Sequence, residues 1–346
     1  MKIAVTGAAG FLGLHLANRF SNERNILSLC DIQKFEKNEY PKSKFIKADI
    51  RNTSAMNAFT KNQDIVIHAA AALPLWRKQD ITDINVNGTN NLLKNCLSNG
   101  VKHFIYISST AVYGVPKKHP VYENDLLVGV GAYGESKIKA EKLCEDYRKK
   151  GMIVTIIRPK TFIGTHRLGV FEILFDWIKD GKKIPVIGSG NNRYQLLDVE
   201  DLTEAIYRIA FFNNKEKVNT VFNIGAKKFE TVKKDLKNLF EYANSGSEIL
   251  PTPALLVKAI LFILEKLKIS PLYKWVYATA DKDSYVSINR LIETLNWSPK
   301  YSNSQSLIKS YKWYVNNYKE IKSKAEGITH TVGWKQGILG FFKRFL

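Results

Sequence analysis

The octapeptide Thr6-Gly7-Ala8-Ala9-Gly10-Phe11-Leu12-Gly13 follows the apolar run Ile3–Thr6 and opens a helical pattern at Phe11. No other stretch constrains the fold as strongly. Glycines at these spacings permit a tight turn, close backbone approach to a ligand, and close packing of helix on strand. The helix starting there has unpaired N–H groups at its N-terminus, which suit a pyrophosphate. In a strand–turn–helix setting this is the pattern of a dinucleotide site. Asp31 ends the next apolar run, Ile26–Cys30, 24 residues after Gly7. A carboxylate there accepts hydrogen bonds from the adenosine ribose hydroxyls and repels a 2′-phosphate, so NAD is the expected cofactor. A plain strand-end turn aspartate is the alternative, and Lys34 just beyond leaves room for NADP.

Further apolar runs at Phe45–Lys47, Ile65–His68, Phe104–Ile107 and Ile153–Ile157 read as buried strands. Helices are expected between them at Phe11–Ser21, Thr53–Phe59, Ile84–Ser98 and Tyr133–Lys149. Alternating helices and nearly continuous apolar strands mean a parallel sheet covered on both faces. Right-handed crossovers make it an α/β, Rossmann-type doubly wound domain. After Arg158-Pro159 the pattern changes: Val170, Ile173, Leu174, Trp177 and Ile178 keep helical spacing up to Gly181, a helix-ending glycine. The expected organisation is an NAD-binding domain over 1–160, whose sheet takes further strands from later residues. A smaller mixed α/β substrate-binding portion over 161–315 and a basic, aromatic tail over 316–346 complete it.

Composition narrows the function. Lys plus Arg is 52 against 32 Asp plus Glu, a formal +20 over 346 residues. Such a surface attracts nucleic acid, anionic headgroups or diphosphates, or is a solvated lysine-rich face. Cys30, Cys96 and Cys144 form no CxxC pair, and neither they nor the histidines have metal-ligand spacing, so no disulfide framework and no metal site are expected. The longest apolar stretch, Ala254–Leu264, is interrupted by Lys258 and falls short of the ~20 residues that span a bilayer. The N-terminus does not read as a signal peptide. A cytoplasmic protein is expected, or one peripheral at the inner face of the membrane.

Tyr133-Gly-Glu-Ser-Lys137 spaces a phenol and an ammonium at i and i+4, on one helix face. A nearby cation favours the phenolate, giving a base able to take a proton from a hydroxyl. Ser109, at the end of the Phe104–Ile107 strand, can bond the same substrate oxygen at the sheet edge where α/β proteins bind ligands.

In these motifs the sequence resembles the extended short-chain dehydrogenases/reductases, specifically the NAD-dependent epimerase/dehydratase family. The likeness covers about residues 1–315. It is carried by TGAAGFLG at 6–13, Asp31, Asp49-Ile50, HAAA at 68–71, NVNGT at 85–89, SSTAVYG at 108–114, YGESK at 133–137 and IRPKTFIG at 157–164. The resemblance implies that Ser109, Tyr133 and Lys137 are catalytic. It implies that Gly7, Gly10, Phe11, Leu12, Asp31, Asp49, Ile50, Ala69, Ala70, Asn85 and Lys137 line NAD. A homodimer is the assembly it suggests.

The resemblance is to sugar-nucleotide 4-epimerases of the UDP-glucose 4-epimerase type, which implies a nucleotide-sugar substrate and transient oxidation of a secondary alcohol. Dehydratase relatives carry an acidic residue just after the catalytic Ser/Thr; here Thr110 and Ala111 stand there, which disfavours water loss. Arg193, in Gly188-Ser-Gly-Asn-Asn-Arg193, matches the arginine that grips the substrate diphosphate; the alternative is an arginine paired with Glu200 or Asp201. Thr161 replaces a common asparagine, and Trp76 and Tyr285 are further candidates for the substrate pocket. The usual second arginine before Tyr285 is absent, with Lys282 as a substitute. Pro253–Glu265 resembles the apolar segment of 3β-hydroxysteroid dehydrogenase-like members, so a net dehydrogenase or ketoreductase on a sterol- or lipid-like substrate is the rival. A non-catalytic NAD sensor or nucleic-acid binder is a remote one. In the tail, Trp334, Ile338, Phe341, Phe342 and Phe345 form an apolar helical stripe flanked by Lys335, Lys343 and Arg344, which suits a membrane interface or packing on the protein itself.

Overall fold

A computed structural model describes residues 1–21, 24–34, 40, 42–74, 76–266, 274–323 and 343, with the side chains of 266, 274 and 275 left aside. Among the described residues eleven strands run in chain order: β1 (Lys2–Thr6), β2 (Ile26–Asp31), β3 (Ser43–Lys47), β4 (Ile65–His68), β5 (His103–Ile107), β6 (Ile153–Pro159), β7 (Phe162–Ile163), β8 (Ile184–Ile187), β9 (Leu197–Asp198), β10 (Val221–Ile224) and β11 (Ile249–Thr252). Seven of them form one parallel sheet in the order β10-β6-β5-β4-β1-β2-β3. The order reverses beside β1, and the crevice at that switch point, beyond the strands' carboxyl ends, is where such sheets bind ligands. The last strand, β10, comes from well beyond residue 160.

Both faces of the sheet are covered because its central strands are apolar on both sides. One face packs on α1 (Phe11–Phe20) and a later helix, Val199–Ala210, through Leu16, Phe20, Leu202 and Ile206. The other carries α2 (Thr53–Thr60), the helix Thr89–Ser98 and the long helix Gly131–Lys149, through Met56, Leu92, Ala140 and Cys144. All three cysteines are free and buried.

The helix expected at Ile84–Ser98 is longer and less regular. It begins as α3 (Lys78–Thr82), winds through a π turn at Asp83–Gly88 and continues as α4 (Thr89–Ser98). Asn85 is turned inward there, and Gly88 lies so close to Ile50 that a Cβ would stand 2.6 Å from its Cδ1. An interior polar anchor and a bare backbone contact are what the wider turn accommodates. After α5 (Gly131–Lys149), α6 (Val170–Lys179) ends with Gly181 in the left-handed region, φ +66°.

A separate core lies beyond the sheet, where Phe175, Trp177, Leu239, Tyr311 and Tyr314 pack α6 against the helices Val232–Ala243 and Asn303–Asn316, with β8 paired to β11. Among the described residues no helix is long and apolar enough to cross a membrane. Of the tail, residues 316–323 and Lys343 are described. The Lys343 ammonium pairs with Asp176 and Asp180, each at 2.6 Å, while the apolar stripe from Trp334 to Phe345 lies outside the described residues.

Candidate active site

The glycine turn leaves no room for side chains. Gly7 has φ +72°, and a Cβ on it would stand 2.7 Å from the Ala70 nitrogen; one on Gly13 would stand 2.0 Å from the Gly7 carbonyl oxygen. Strand, turn and helix are therefore in backbone contact, and Ala69 and Ala70 lie against Gly7. No side chain caps the α1 N-terminus at Gly10, and no acidic residue occupies its first turn. The amides at Phe11 and Leu12 face a cradle suited to a diphosphate. Asp31 stands at its side: its carboxylate accepts from the Ala9 amide at 3.0 Å and the Gln33 amide at 2.8 Å, while partial burial pushes its pKa up.

Asp49 is committed to a partner that the sequence did not announce. Arg51 clamps it with contacts of 2.6 to 3.1 Å and reaches Asp83 at 2.5 Å, holding the Asp49 carboxyl below its usual range. Ile50 is buried under Gly88. Asn85 accepts from the Ala72 amide at 2.8 Å and donates to Ser136 at 3.0 Å, joining the loop after β4 to α5. His68 is buried between the Thr6 and Thr89 hydroxyls, and burial pushes its pKa down to about 3, so it is a neutral bridge between β1, β4 and α4.

Ser109, Tyr133 and Lys137 come together at the carboxyl end of β5. Ser109 caps the short 3₁₀ turn Thr110–Tyr113, accepting from the Ala111 amide at 3.1 Å, and is hydrogen-bonded to Tyr133. Burial pushes the Tyr133 phenol up to about 12, with Ser109 and the nearby Arg167 charge opposing. Lys137 is buried; it donates to the Ile107 carbonyl at 2.8 Å, and desolvation pushes its pKa down to about 8, with Glu141 opposing.

Behind this trio is a buried ion pair absent from the sequence expectations. Arg158 and Glu141 meet at 2.6 Å with side chains 3% and 2% exposed. Glu141 also accepts from Ser108 at 2.5 Å, and Arg158 donates to the Tyr113 hydroxyl at 2.7 Å. Tyr113 donates in turn to Asn223 on β10 at 2.7 Å. Its signal was present: Tyr133, Lys137 and Glu141 recur at i, i+4 and i+8, on one helix face.

Arg193 is exposed and lies over two rings, 4.7 Å from the Phe229 centroid and 4.9 Å from that of Tyr285. It is not paired with the two acids downstream. Glu200 pairs with Lys309, and Asp201 accepts from the Lys300 and Tyr301 amides. Tyr285 also lines a small cavity with Thr110, Tyr113, Gly114, His119 and Lys160, linking the Arg193 side of the cleft to the segment next to Ser109. Thr161 is hydrogen-bonded to Tyr194. Lys160 is buried, donates to Ser284 at 2.7 Å, and is pushed down to about 7 by burial. Lys282 is exposed, its carbonyl accepting from Asn192 at 2.8 Å. Trp76 is half-buried after the alanine run; its indole N–H has no hydrogen-bond partner among the described residues.

Residues 3–225 match the model of the NAD dependent epimerase/dehydratase family. An uncharacterized protein, y4nG, of Sinorhizobium fredii is 32% identical over 337 residues, covering 97% of this chain and 84% of the relative. The N-acetyl-alpha-D-glucosaminyl-diphospho-ditrans,octacis-undecaprenol 4-epimerase of Escherichia coli O157:H7 is 32% identical over 214 residues, 59% of this chain and 62% of that one. Among solved structures, the UDP-glucuronic acid 4-epimerase from Bacillus cereus in complex with NAD superposes with a TM-score of 0.75 at 25% identity, covering 92% of this chain and 98% of that one.

Proposed function

The chain belongs to the NAD-dependent epimerase/dehydratase family and is an extended short-chain dehydrogenase/reductase with NAD as cofactor, and we propose that it is a sugar 4-epimerase acting on a glycosyl diphosphate, foremost a nucleotide sugar. The observation that carries this reading is the meeting of Ser109, Tyr133 and Lys137 at the mouth of a cleft whose far side holds Arg193.

The glycine cradle, with Phe11, Leu12, Ala69 and Ala70, is suited to the diphosphate of NAD, and Asp31 to a ribose diol. We assign Asp49, Ile50 and Asn85 to the same site, Asp49 with its position set by Arg51. When bound, NAD supplies the hydride acceptor and returns the hydride. Tyr133 takes the proton of the substrate hydroxyl and gives it back to the same oxygen once hydride has been delivered to the opposite face of the carbon, while Ser109 holds that oxygen. Lys137, pinned to the Ile107 carbonyl, keeps a positive charge beside the phenol and favours its ionised form. Arg193, spread flat on Phe229 and Tyr285, offers its outward N–H groups to the diphosphate. Thr161, Tyr285 and Trp76 are assigned to the sugar.

Thr110 and Ala111 offer no carboxyl group beside Ser109, so elimination of water lacks its proton donor. Tightly bound NAD and no net redox change are expected. The test is incubation of the purified enzyme, with no added NAD, with UDP-glucose and UDP-N-acetylglucosamine, following C4 inversion by NMR. Stoichiometric reduction of NAD instead would make the enzyme a net oxidoreductase.

One observation favours a second reading, in which the diphosphate carries a lipid in place of a nucleoside. The apolar segment after Pro253 is a helix that exposes Leu255, Leu256, Ile260, Phe262 and Ile263. The Escherichia coli relative's name describes such a lipid-linked substrate.

A further inference from the structure

We propose that the helix Ala254–Lys266 is a docking surface for an anionic lipid bilayer, holding the mouth of the sugar cleft at the membrane surface. The inference rests on the second reading just given for what the cleft takes, and on independent features of the helix itself.

Leu255, Leu256 and Ile263 are 88%, 59% and 57% exposed, and Ile260 and Phe262 lie exposed beside them. Leu256, Ile260 and Ile263 recur every three or four residues, and Leu255 and Phe262 flank them to widen the stripe. Clustered apolar groups of this size left in water mark an interaction surface. The stripe cannot roll inward, because the opposite face is already anchored. Leu261 is buried, Lys258 pairs with Asp281 and donates to the Ala278 carbonyl at 3.4 Å, and Glu265 accepts from the Tyr277 hydroxyl.

Charge selects the occupant. Residues 254–282 contain five lysines, at 258, 266, 268, 274 and 282, against two acids, Glu265 and Asp281. Both acids are held within the fold, by Tyr277 and Lys258. The sequence just after the helix adds Tyr273 and Trp275, residue types enriched at lipid interfaces. Apolar groups in a segment whose sequence carries more lysines than acids, on a chain of net charge +20, complement an anionic bilayer. A second copy of this chain would bring another molecule of net charge +20 to the same face.

The helix also borders the cleft. Asp281, which anchors Lys258, stands two residues before Asp283, which accepts from the Arg193 amide at 2.8 Å. A glycosyl diphosphate whose lipid remains in the bilayer would approach Arg193 from this side.

The test is flotation of the full-length protein with vesicles of equimolar phosphatidylglycerol and phosphatidylcholine, and with phosphatidylcholine alone. Binding is expected to the anionic vesicles at ~0.1 M salt and to fall at ~1 M, where the screening length drops from about 10 to about 3 Å. The double variant Leu256→Glu, Ile263→Glu should reduce the bound fraction about tenfold or more, with bound NAD and melting temperature unchanged because both side chains are exposed. Equal flotation of wild type and variant overturns the proposal, as does absence of binding. Loss of binding on deleting 331–346, with the double variant unaffected, gives the role to the tail. A variant that turns a dimer into a monomer in light scattering, with no vesicle binding, makes a second copy the occupant. Flotation requires no turnover, so its failure leaves the 4-epimerase reading standing, and failed C4 inversion leaves the docking result standing.

Discussion

Lys137 holds its ammonium 5.9 Å from the centroid of the Tyr133 ring while donating to the Ile107 carbonyl at 2.8 Å. The two groups shift in opposite directions, the lysine down to about 8 and the phenol up to about 12, both chiefly by burial. In the chain alone Tyr133 is thus a protonated phenol near neutral pH. The proposed role as a base calls for more positive charge than Lys137 alone supplies, which bound NAD would bring.

Tyr133→Phe should keep NAD bound yet lose roughly two to four orders of magnitude in kcat, since it removes the proton carrier and leaves the ring. Retention of more than about a tenth of wild-type turnover, measured alongside bound dinucleotide, would show the base to be misassigned.

Asp31 accepts from the Ala9 amide and is proposed to set the cofactor choice, and two substitutions separate these roles. Asp31→Asn keeps an acceptor for the Ala9 amide but removes the charge, so NADP should gain on NAD with little loss of NAD affinity. Asp31→Ala also frees the glycine turn and should weaken both cofactors. Calorimetry with NAD and NADP distinguishes them; unchanged selectivity in Asp31→Asn would exclude a charge-based choice.

Arg193→Met should raise KM for a diphosphate-linked sugar about ten- to a hundredfold, the worth of a charge-assisted hydrogen bond, with kcat changed less. Steady-state kinetics that show an equal fall in kcat and no change in KM would place Arg193 elsewhere in the reaction.

The Glu141–Arg158 pair is buried and hydrogen-bonded to Ser108 and Tyr113, so breaking it strands a charge. Arg158→Met should cost about 3–5 kcal/mol in denaturant unfolding. A loss below about 1 kcal/mol would mean that water reaches the site and solvates the remaining carboxylate.

Lys160 and Lys137 have folded pKa values lowered to about 7 and about 8 from 10.5. Between pH 7 and 9 the unfolded chain holds more protons at these two sites than the folded one. Their contribution therefore makes stability rise with pH across that window. Lys160→Met should flatten the rise, by up to about 1 kcal/mol per pH unit. An identical pH slope in wild type and variant, read from denaturant midpoints at constant salt, would contradict the burial of the Lys160 ammonium.

The local pattern of the chain by itself determined the doubly wound sheet and most of its elements, because strand and helix periods and glycine turns are properties of a few consecutive residues. Ile3–Thr6 with Gly7, Gly10 and Gly13 could take few other shapes, and Tyr133 and Lys137 share a face by helical geometry alone. Other pairings join residues far apart in the chain, and no local period encodes them. Arg51 met Asp83, Arg158 met Glu141 and Tyr113, and His68 met Thr6 and Thr89 only once the crossovers had stacked their elements. The same holds for Arg193, whose nearest sequence acids are taken by Lys309 and by the Lys300 and Tyr301 amides, leaving its guanidinium on Phe229 and Tyr285. The helix after Pro253 is the clearest case. Its apolar composition is written in the sequence, but which face meets water was decided by Asp281 and Tyr277, which hold Lys258 and Glu265 and turn the leucines outward.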